Sequence, residues 1–112
     1  MKKIEAVIRP SRLEGVKTAL SDFGISGITI TQVVGCGLQK GQTEFYRGNP
    51  IHINLLPKIK LEIVVKAEQA EDVIKIIIEN AKTGKVGDGK IFIQDISGAI
   101  RIRTGEKDRD AL

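Results

Sequence analysis

Residues 58–66, with the sequence KIKLEIVVK, show the clearest period of two in the chain. The aliphatic residues Ile59, Leu61, Ile63 and Val65 fall on one face of this stretch, and mostly charged residues fall on the other. Because successive side chains of a strand point to opposite faces, the stretch predicts a β-strand with one face in a core. Residues 3–9 alternate in the same way and predict another strand.

Two helices and further strands complete the pattern. Apolar residues recur at helical spacing from Leu13 to Phe23 and from Ala70 to Ala81, with Gly24 as the predicted end of the first helix. Residues 29–34 are rich in β-branched side chains and predict a strand, as do the apolar run 91–93 and the alternating stretch 100–103. The order β-α-β-β-α-β predicts an α+β fold, a ferredoxin-like antiparallel sheet with both helices on one face.

Composition predicts one intracellular domain. The chain has 112 residues, 41% of them hydrophobic and 29% charged, so we expect a single domain over residues 1–112 with a flexible tail at 106–112. The single cysteine, Cys36, cannot form an intrachain disulfide, and no apolar stretch fits a signal peptide or a membrane span, so we expect a cytoplasmic protein. An aromatic content of 4% argues against a nucleic-acid partner bound by base stacking.

The sheet face opposite the predicted helices carries charged residues and valines. Its expected members are Glu5, Val7, Lys60, Glu62, Val64, Arg101 and Arg103. Assembly with identical subunits would cover this face, and the formal net charge of +4 permits an anionic ligand there. Simple exposure to water is the alternative, because antiparallel sheets often have one solvated face.

A long connection, residues 37–57, separates the second and third predicted strands where a hairpin needs about two to five residues. Residues 41–50 contain two glycines and Pro50 without an apolar period, which predicts a mobile loop. Long loops without structure of their own are usually binding elements, so we expect this one to bind a partner. A tolerated insertion is the alternative, because loop closure costs little entropy.

Residues 83–90, with the sequence TGKVGDGK, combine three glycines with two lysines. Backbone N–H groups that converge on an anion, with lysine charge nearby, are typical of a phosphate site. A P-loop NTPase is excluded, because Ile91 stands where a magnesium-binding Ser or Thr is required and the loop leaves a helix rather than a strand. A simple helix-to-strand turn is the alternative.

Basic residues elsewhere add to this prediction, whereas no catalytic group is evident. Arg101 and Arg103 suit phosphate through their planar guanidinium groups, although surface salt bridges are an alternative role. Lys58 stands at the end of the long loop. His52 is the only histidine, so neither a His–Cys zinc site nor a Ser-His-Asp triad is indicated. The sequence predicts a ligand-binding protein rather than an enzyme.

Several separated stretches of the chain closely resemble the PII nitrogen-regulatory signal proteins, over essentially its full length. They are MKKIEA (1–6), GCGLQKG (35–41), TEFYRG (43–48), LPK (56–58), KTGKVGDGKIF (82–92) and RIRTGE (101–106). The resemblance implies a homotrimer that binds ATP or ADP competitively in clefts between subunits and, together with MgATP, 2-oxoglutarate. It also implies that residues 37–57 are the regulatory T-loop of the family and that no residue is catalytic.

The resemblance further assigns roles to individual residues. Those implied for the nucleotide are Val7, Thr29 of the next subunit, Gly35, Gly37, Glu62, Val64, Gly87, Asp88, Gly89, Lys90, Arg101 and Arg103. Those implied for 2-oxoglutarate are Gln39, Lys40, Lys58 and Gly87, with Gln39 also helping to hold Mg²⁺. Those implied for partner proteins are Thr43, Glu44, Phe45, Tyr46, Arg47, Gly48 and Asn49.

Three positions depart from patterns of this family. Ile51 stands where many members carry a uridylylated tyrosine, and Asn49 stands where cyanobacterial members carry a phosphorylated serine, so we expect no modification at Ile51. Leu38 replaces an arginine beside the nucleotide phosphates, which predicts weaker discrimination of ATP from ADP. The implied partners are an ammonium channel, a regulator of glutamine synthetase or a sensor kinase, with membrane contact only through a channel.

Two functions of other classes compete with this one. An RNA-binding module of the RRM type has the same strand and helix order, and residues 89–93 faintly resemble one of its motifs, but the central strands lack stacking aromatics. A small phosphotransferase would use the same nucleotide cradle, but it requires a catalytic base that the sequence does not offer.

Overall fold

The computed structural model of the protein describes residues 1–36, 44–46, 49–51 and 55–112. Its α-helices and β-strands are β1 (Lys2–Ile8), α1 (Leu13–Phe23), β2 (Thr29–Cys36), β3 (Glu44–Tyr46), β4 (Asn49–Ile51), β5 (Leu55–Val65), α2 (Ala70–Ala81) and β6 (Lys90–Asp95). Among the described residues, neither helix has the length and apolar character needed to cross a membrane.

The main sheet has the strand order β2-β5-β1-β6, and all of its neighbouring strands are antiparallel. The two helices pack against each other and cover one sheet face, where alternate residues of β1 and β5 are buried. The buried core consists of Ile4, Ala6, Ile8, Val16, Leu20, Ile25, Ile59, Leu61, Ile63, Val65, Ala70, Val73, Ile77 and Ala81. The predicted ferredoxin-like α+β fold is confirmed.

Local sequence explains where the helices begin and end. The short 3₁₀ helix Pro10–Arg12 precedes α1, and proline suits a first turn because its missing N–H needs no partner there. Gly24 ends α1 in a left-handed conformation with φ +102°, and its N–H donates to the carbonyls of Leu20 and Ser21. A similar 3₁₀ turn, Ala67–Gln69, leads into α2.

The fourth strand of the main sheet is β6, and the prediction of a sheet strand at 100–103 is wrong. β6 pairs with β1 from Lys2↔Asp95 to Val7↔Lys90. Residues 100–107 instead form a small C-terminal hairpin, in which Gly105 adopts φ +74° and donates its N–H to the Arg101 carbonyl at 2.7 Å. Because the chain reverses at Gly105 and pairs with itself, this stretch does not join the sheet.

The end of the chain, where a flexible tail was predicted at residues 106–112, has regular local structure. Residues Asp108–Ala111 form a 3₁₀ helix, and the Arg109 guanidinium pairs with both carboxylate oxygens of Glu68, just before α2. These contacts connect the last residues of the chain to the start of the second helix.

The connection between β2 and β5 is also more structured than predicted. β2 continues to Cys36 and β5 begins at Leu55, so the connection covers residues 37–54 instead of 37–57. Within it, β3 and β4 pair as a separate two-stranded antiparallel sheet. Residues 37–43, 47–48 and 52–54 lie outside the described part of the chain.

The sheet face opposite the helices, called the open face below, carries the predicted Glu5, Val7, Lys60, Glu62 and Val64. Its charges pair with one another. The Lys60 amine lies 3.3 Å from a Glu62 oxygen and 3.5 Å from a Glu5 oxygen, and the Lys3 amine lies 3.3 Å from the other Glu62 oxygen. These partners raise the pKa of Lys60 and lower the pKa of Glu62. Arg101 and Arg103 were expected on this face, but they lie in the C-terminal hairpin.

Candidate anion-binding site

Residues 83–90, called the glycine loop below, connect α2 to β6 and depend on glycine for their conformation. Gly84, Gly87 and Gly89 have φ values of +86°, +103° and +102°, which other residues rarely adopt. A Cβ at Gly89 would lie 1.7 Å from the carbonyl oxygen of Val7. The loop therefore packs directly on the backbone of β1, at a distance that only glycine permits.

The Asp88 carboxylate organises the inside of the glycine loop. One of its oxygens accepts hydrogen bonds from the backbone N–H groups of Thr83 and Gly84, both at 2.9 Å. The other oxygen accepts from the Thr83 hydroxyl and, at 3.0 Å, from Nε of Arg9. The Thr83 hydroxyl, the two amides and Arg9 together hold the pKa of Asp88 well below its usual range.

Arg9 connects the glycine loop to the sheet. It directly follows β1, and its second contact is a 2.8 Å hydrogen bond from Nη2 to the carbonyl of Val86. The side chains of Arg9 and Asp88 are each only 24% exposed. A guanidinium and a carboxylate in this partly buried geometry make stronger hydrogen bonds than neutral groups do.

Lys58 brings a positive charge to the same place. Its amine donates to the carbonyl of Gly87, and burial together with the nearby Arg9 charge lowers the pKa of Lys58, against an opposing effect of Asp88. Gly35 of β2 lies beside the Lys58 stem, because a Cβ at Gly35 would be 3.5 Å from Cγ of Lys58. A lysine, an arginine and a glycine-rich backbone therefore meet at one end of the sheet, an arrangement suited to a phosphate or a carboxylate.

The structure brings together a large part of the predicted nucleotide and 2-oxoglutarate residues. At or beside the glycine loop it places Val7, Gly35, Lys58, Gly87, Asp88, Gly89 and Lys90. Glu62 and Val64 lie farther along the open face, and Thr29 of β2 is opposite Glu62 within the same chain. These positions form a continuous path from the glycine loop along the open face.

Other predicted residues lie elsewhere. The Arg101 guanidinium contacts Glu106 at 3.0 Å and the Leu112 carbonyl at 3.2 Å rather than the glycine loop, and Arg103 is exposed in the C-terminal hairpin. The backbones of Glu44–Tyr46 and Asn49–Ile51 lie in β3 and β4. The remaining predicted residues lie outside the described part of the chain: Gly37, Leu38, Gln39, Lys40, Thr43, Arg47 and Gly48.

Sequence reasoning missed Arg9. A single arginine after a strand has no motif, and its partner Asp88 is 79 positions away in the chain. No local signal could have joined the two. The described residues contain no group of three His, Cys, Asp or Glu side chains that could hold a metal ion.

Comparison with known proteins gives consistent results. The family model for nitrogen regulatory protein P-II matches residues 1–106. The chain is 55% identical to nitrogen regulatory protein P-II of Pasteurella multocida and 57% identical to that of Haemophilus influenzae, over 100% of both chains in each case. It is 51% identical to nitrogen regulatory protein P-II 1 of Escherichia coli K12, again over 100% of both chains. The crystal structure of Arabidopsis thaliana PII bound to citrate superposes with a TM-score of 0.82 at 42% identity, covering 99% of this chain and 91% of that one.

Proposed function

Because the chain belongs to the nitrogen regulatory protein P-II family, we propose that it senses ATP or ADP and 2-oxoglutarate and controls target proteins through the T-loop. The names of the family and of these relatives describe regulatory proteins, so the chain is a regulatory protein and not an enzyme, as predicted. The observation that carries the proposal is the meeting of Lys58, Gly35 and the glycine loop at one end of the sheet.

The nucleotide phosphates would bind at the glycine loop. The positive φ values of Gly87 and Gly89 supply the backbone freedom that such a cradle needs, and Lys90 adds a positive charge at the first residue of β6. The base would lie along the open face near Val7, Glu62 and Val64. Asp88 was implied as a nucleotide ligand, but its carboxylate is already bonded within the protein.

A carboxylate ligand would bind at Lys58. Its amine already reaches the Gly87 carbonyl, so a carboxylate placed there would share contacts with the phosphate cradle. The Arabidopsis PII neighbour is bound to citrate, a carboxylate anion, and this supports a carboxylate subsite in the present chain. Gln39 and Lys40 would complete the 2-oxoglutarate site, with Gln39 beside a nucleotide-bound Mg²⁺.

Two exposed apolar edges support a homotrimer. Ile30 and Val34 of β2 are 40% and 69% exposed, and Ile78 and Ile93 at the opposite edge are 47% and 53% exposed. Contact of one edge with the other edge of the next copy is heterologous and closes a ring when the rotation permits. In such a ring the C-terminal hairpin, with the fully exposed Ile102 at its turn, would carry Arg101 and Arg103 toward a neighbouring site.

Ligands would act by shifting the population of T-loop conformations. A ligand changes a conformational equilibrium only through its different affinity for the two states. Nucleotide and 2-oxoglutarate would thereby change the contacts of residues 43–49 with a target. We infer targets in nitrogen metabolism, such as an ammonium channel, a regulator of glutamine synthetase or a sensor kinase, and a cytoplasmic, single-domain protein that meets the membrane only through a channel.

Calorimetric titration tests the ligands. ATP and ADP are titrated with Mg²⁺, with and without 2-oxoglutarate, into the wild type and into Lys90→Ala, Arg103→Ala and the control Lys75→Ala. We expect each of the first two variants to lose about tenfold in ATP affinity, because each removes a charged hydrogen-bond donor. Lys75 is an exposed residue of α2, so its variant should bind normally.

Three results from these titrations and from sedimentation would contradict the proposal. Unchanged ATP affinity in both Lys90→Ala and Arg103→Ala would remove the phosphate assignment. A monomer in sedimentation, without affinity for adenine nucleotides, would overturn the proposed function. A strong preference for ATP over ADP in the wild type would contradict the prediction drawn from Leu38.

Deletion of residues 43–54 tests the T-loop. The deleted chain should fold and bind ATP but lose control of its partner, because the residues that form the site lie outside the deletion. Targets are captured from nitrogen-starved and nitrogen-replete extracts, with ATP plus 2-oxoglutarate or with ADP. Partner control that survives the deletion would refute the role of the loop.

A further inference from the structure

The acceptor capacity of the Asp88 carboxylate is used within the protein. A carboxylate has two oxygens with about four lone-pair sites. At Asp88 these receive the Thr83 and Gly84 amides, the Thr83 hydroxyl and Arg9 Nε. A nucleotide phosphate would also be repelled by this negative charge. The Asp88 carboxylate is therefore unsuited to direct contact with an anion, although it lies in the loop proposed to bind one.

The hydrogen bonds of Asp88 connect the glycine loop both to its own first residues and to Arg9, which follows β1. Thr83 and Gly84 are at the start of the loop, and their backbone N–H groups donate to the carboxylate of Asp88 near its end. These bonds connect the two ends of the loop. Arg9 bridges Asp88 and the Val86 carbonyl to the end of β1. The close packing of Gly89 on Val7 holds the loop against the same strand. The loop is thus closed on itself and attached to the end of β1, a central strand of the sheet.

We propose that Asp88 and Arg9 are positioning residues, a clasp that holds the glycine loop so that its backbone at Gly87, Gly89 and Lys90 can receive an anion. Neither side chain needs to touch the nucleotide for this role. The proposal deepens the proposed function and rests on it, because the anion is the phosphate group of an adenine nucleotide. The low pKa of Asp88 agrees with a carboxylate that stays ionised and bonded.

Asp88→Asn distinguishes positioning from electrostatics by the sign of the effect. Removing a negative charge from an anion site strengthens ATP binding if charge alone matters. Each oxygen of the Asp88 carboxylate accepts two hydrogen bonds, and an asparagine has only one acceptor oxygen, so Asp88→Asn must lose bonds on one side. If the clasp is correct, this variant should bind ATP about tenfold more weakly than the wild type. Asp95→Asn is the matched control, because Asp95 is an exposed carboxylate at the far end of β6 that pairs with Lys2, and its variant should bind ATP normally.

Two pairs of substitutions, one at Arg9 and one at Thr83, distinguish the clasp from a general loss of structure. Arg9→Lys keeps the charge but cannot make both contacts of the guanidinium, so it should weaken ATP binding nearly as much as Arg9→Gln. Thr83→Ser keeps the hydroxyl donor and should bind ATP like the wild type, whereas Thr83→Val should bind less tightly. Full restoration of ATP binding by Arg9→Lys would show that only charge matters and would overturn the clasp.

Amide hydrogen exchange gives a readout that needs no ligand. In Asp88→Asn the amides of Thr83 and Gly84 should exchange at least about tenfold faster, while the amides of β1 and α2 keep wild-type rates. Unchanged or tighter ATP binding in this variant overturns the proposal, whatever the exchange shows. If the wild type binds no ATP, the proposed function fails instead, and unchanged exchange at Thr83 and Gly84 would then overturn the clasp by itself.

Discussion

The glycine loop and the C-terminal hairpin were both predicted to bind phosphate, and they are held in different ways. Asp88 and Arg9 in the glycine loop are each 24% exposed and share several further hydrogen bonds. The hairpin and the chain end depend on exposed pairs, Arg101 with Glu106 and Arg109 with Glu68, whose side chains are 37–60% exposed. Partly buried, multiply bonded pairs fix geometry, whereas exposed pairs contribute little. The predicted phosphate-binding residues of the glycine loop are therefore held firmly within the chain, whereas those of the hairpin lie on a segment held by exposed pairs.

The largest expected difference between the two regions concerns their glycines. Gly89→Ala should destabilise the protein by more than about 2 kcal/mol and abolish ATP binding. The alanine Cβ would collide with the Val7 carbonyl oxygen, and the positive φ of this residue would strain any side chain. Gly105→Ala in the hairpin should cost only about 1 kcal/mol, since its Cβ meets nothing within 4 Å. Urea unfolding measures both values. Equal losses for the two variants would show that the glycine loop is no more tightly packed than the hairpin.

The next prediction concerns protonation beside the glycine loop and on the open face. Burial, followed by the Arg9 charge, lowers the pKa of Lys58, whereas hydrogen bonds to Glu62 and Glu5 raise the pKa of Lys60. The Lys58 amine should therefore lose its proton at a lower pH than Lys60, and NMR of the side-chain nitrogens measures both. Affinity for a carboxylate ligand should fall as the pH rises through the lowered pKa of Lys58. Titration of Lys60 before Lys58 would contradict this assignment.

The same two shifts affect stability in opposite directions. The contribution of Lys60 is fully present below its ordinary pKa of 10.5 and is lost as the pH rises through the raised value. For Lys58 the unfolded chain binds more protons than the folded chain between the lowered value and 10.5, so its contribution grows with pH in that window. Unfolding of Lys58→Met and Lys60→Met across alkaline pH separates the two contributions.

The smallest expected effect is at the chain end. Glu68→Gln removes the exposed partner of Arg109 and should lower the midpoint of thermal unfolding only slightly. That difference should vanish near 1 M salt, where the Debye length is about 3 Å. Asp88→Asn should lower the midpoint further and keep its effect in salt, because its bonds are partly buried. A salt-sensitive effect at Asp88 would remove the contrast between the two regions.

The sequence predicts most of the fold because the strands β1 and β5 and both helices have a clear apolar period. It fails at 100–103, where isoleucine and arginine alternate as regularly as in any strand of the sheet. Alternation indicates an extended segment and does not say which segment pairs with it. Here the turn at Gly105 lets the segment pair with residues that follow directly, and β6 takes the place beside β1.

The candidate site is predictable in part for similar reasons. Glycine, lysine and their spacing predict an anion loop at residues 83–90, although the same residue types also suit a simple turn. The role of Asp88 depends on hydrogen bonds that spacing cannot show, and Arg9 depends on a contact between distant parts of the chain. The family resemblance implied Asp88 as a nucleotide residue without saying which of its atoms takes part, and only the structure shows that its carboxylate bonds to Thr83, Gly84 and Arg9.

The distance along the chain between Arg9 and Asp88 constrains how the protein is made. Arg9 is synthesised 79 positions before its partner Asp88. The strand before Arg9, β1, also lacks one of its two neighbouring strands until then, because β6 begins at Lys90. An emerging chain therefore cannot attach the glycine loop to Arg9 before the loop itself is made, and β6, the last strand of the main sheet, follows directly.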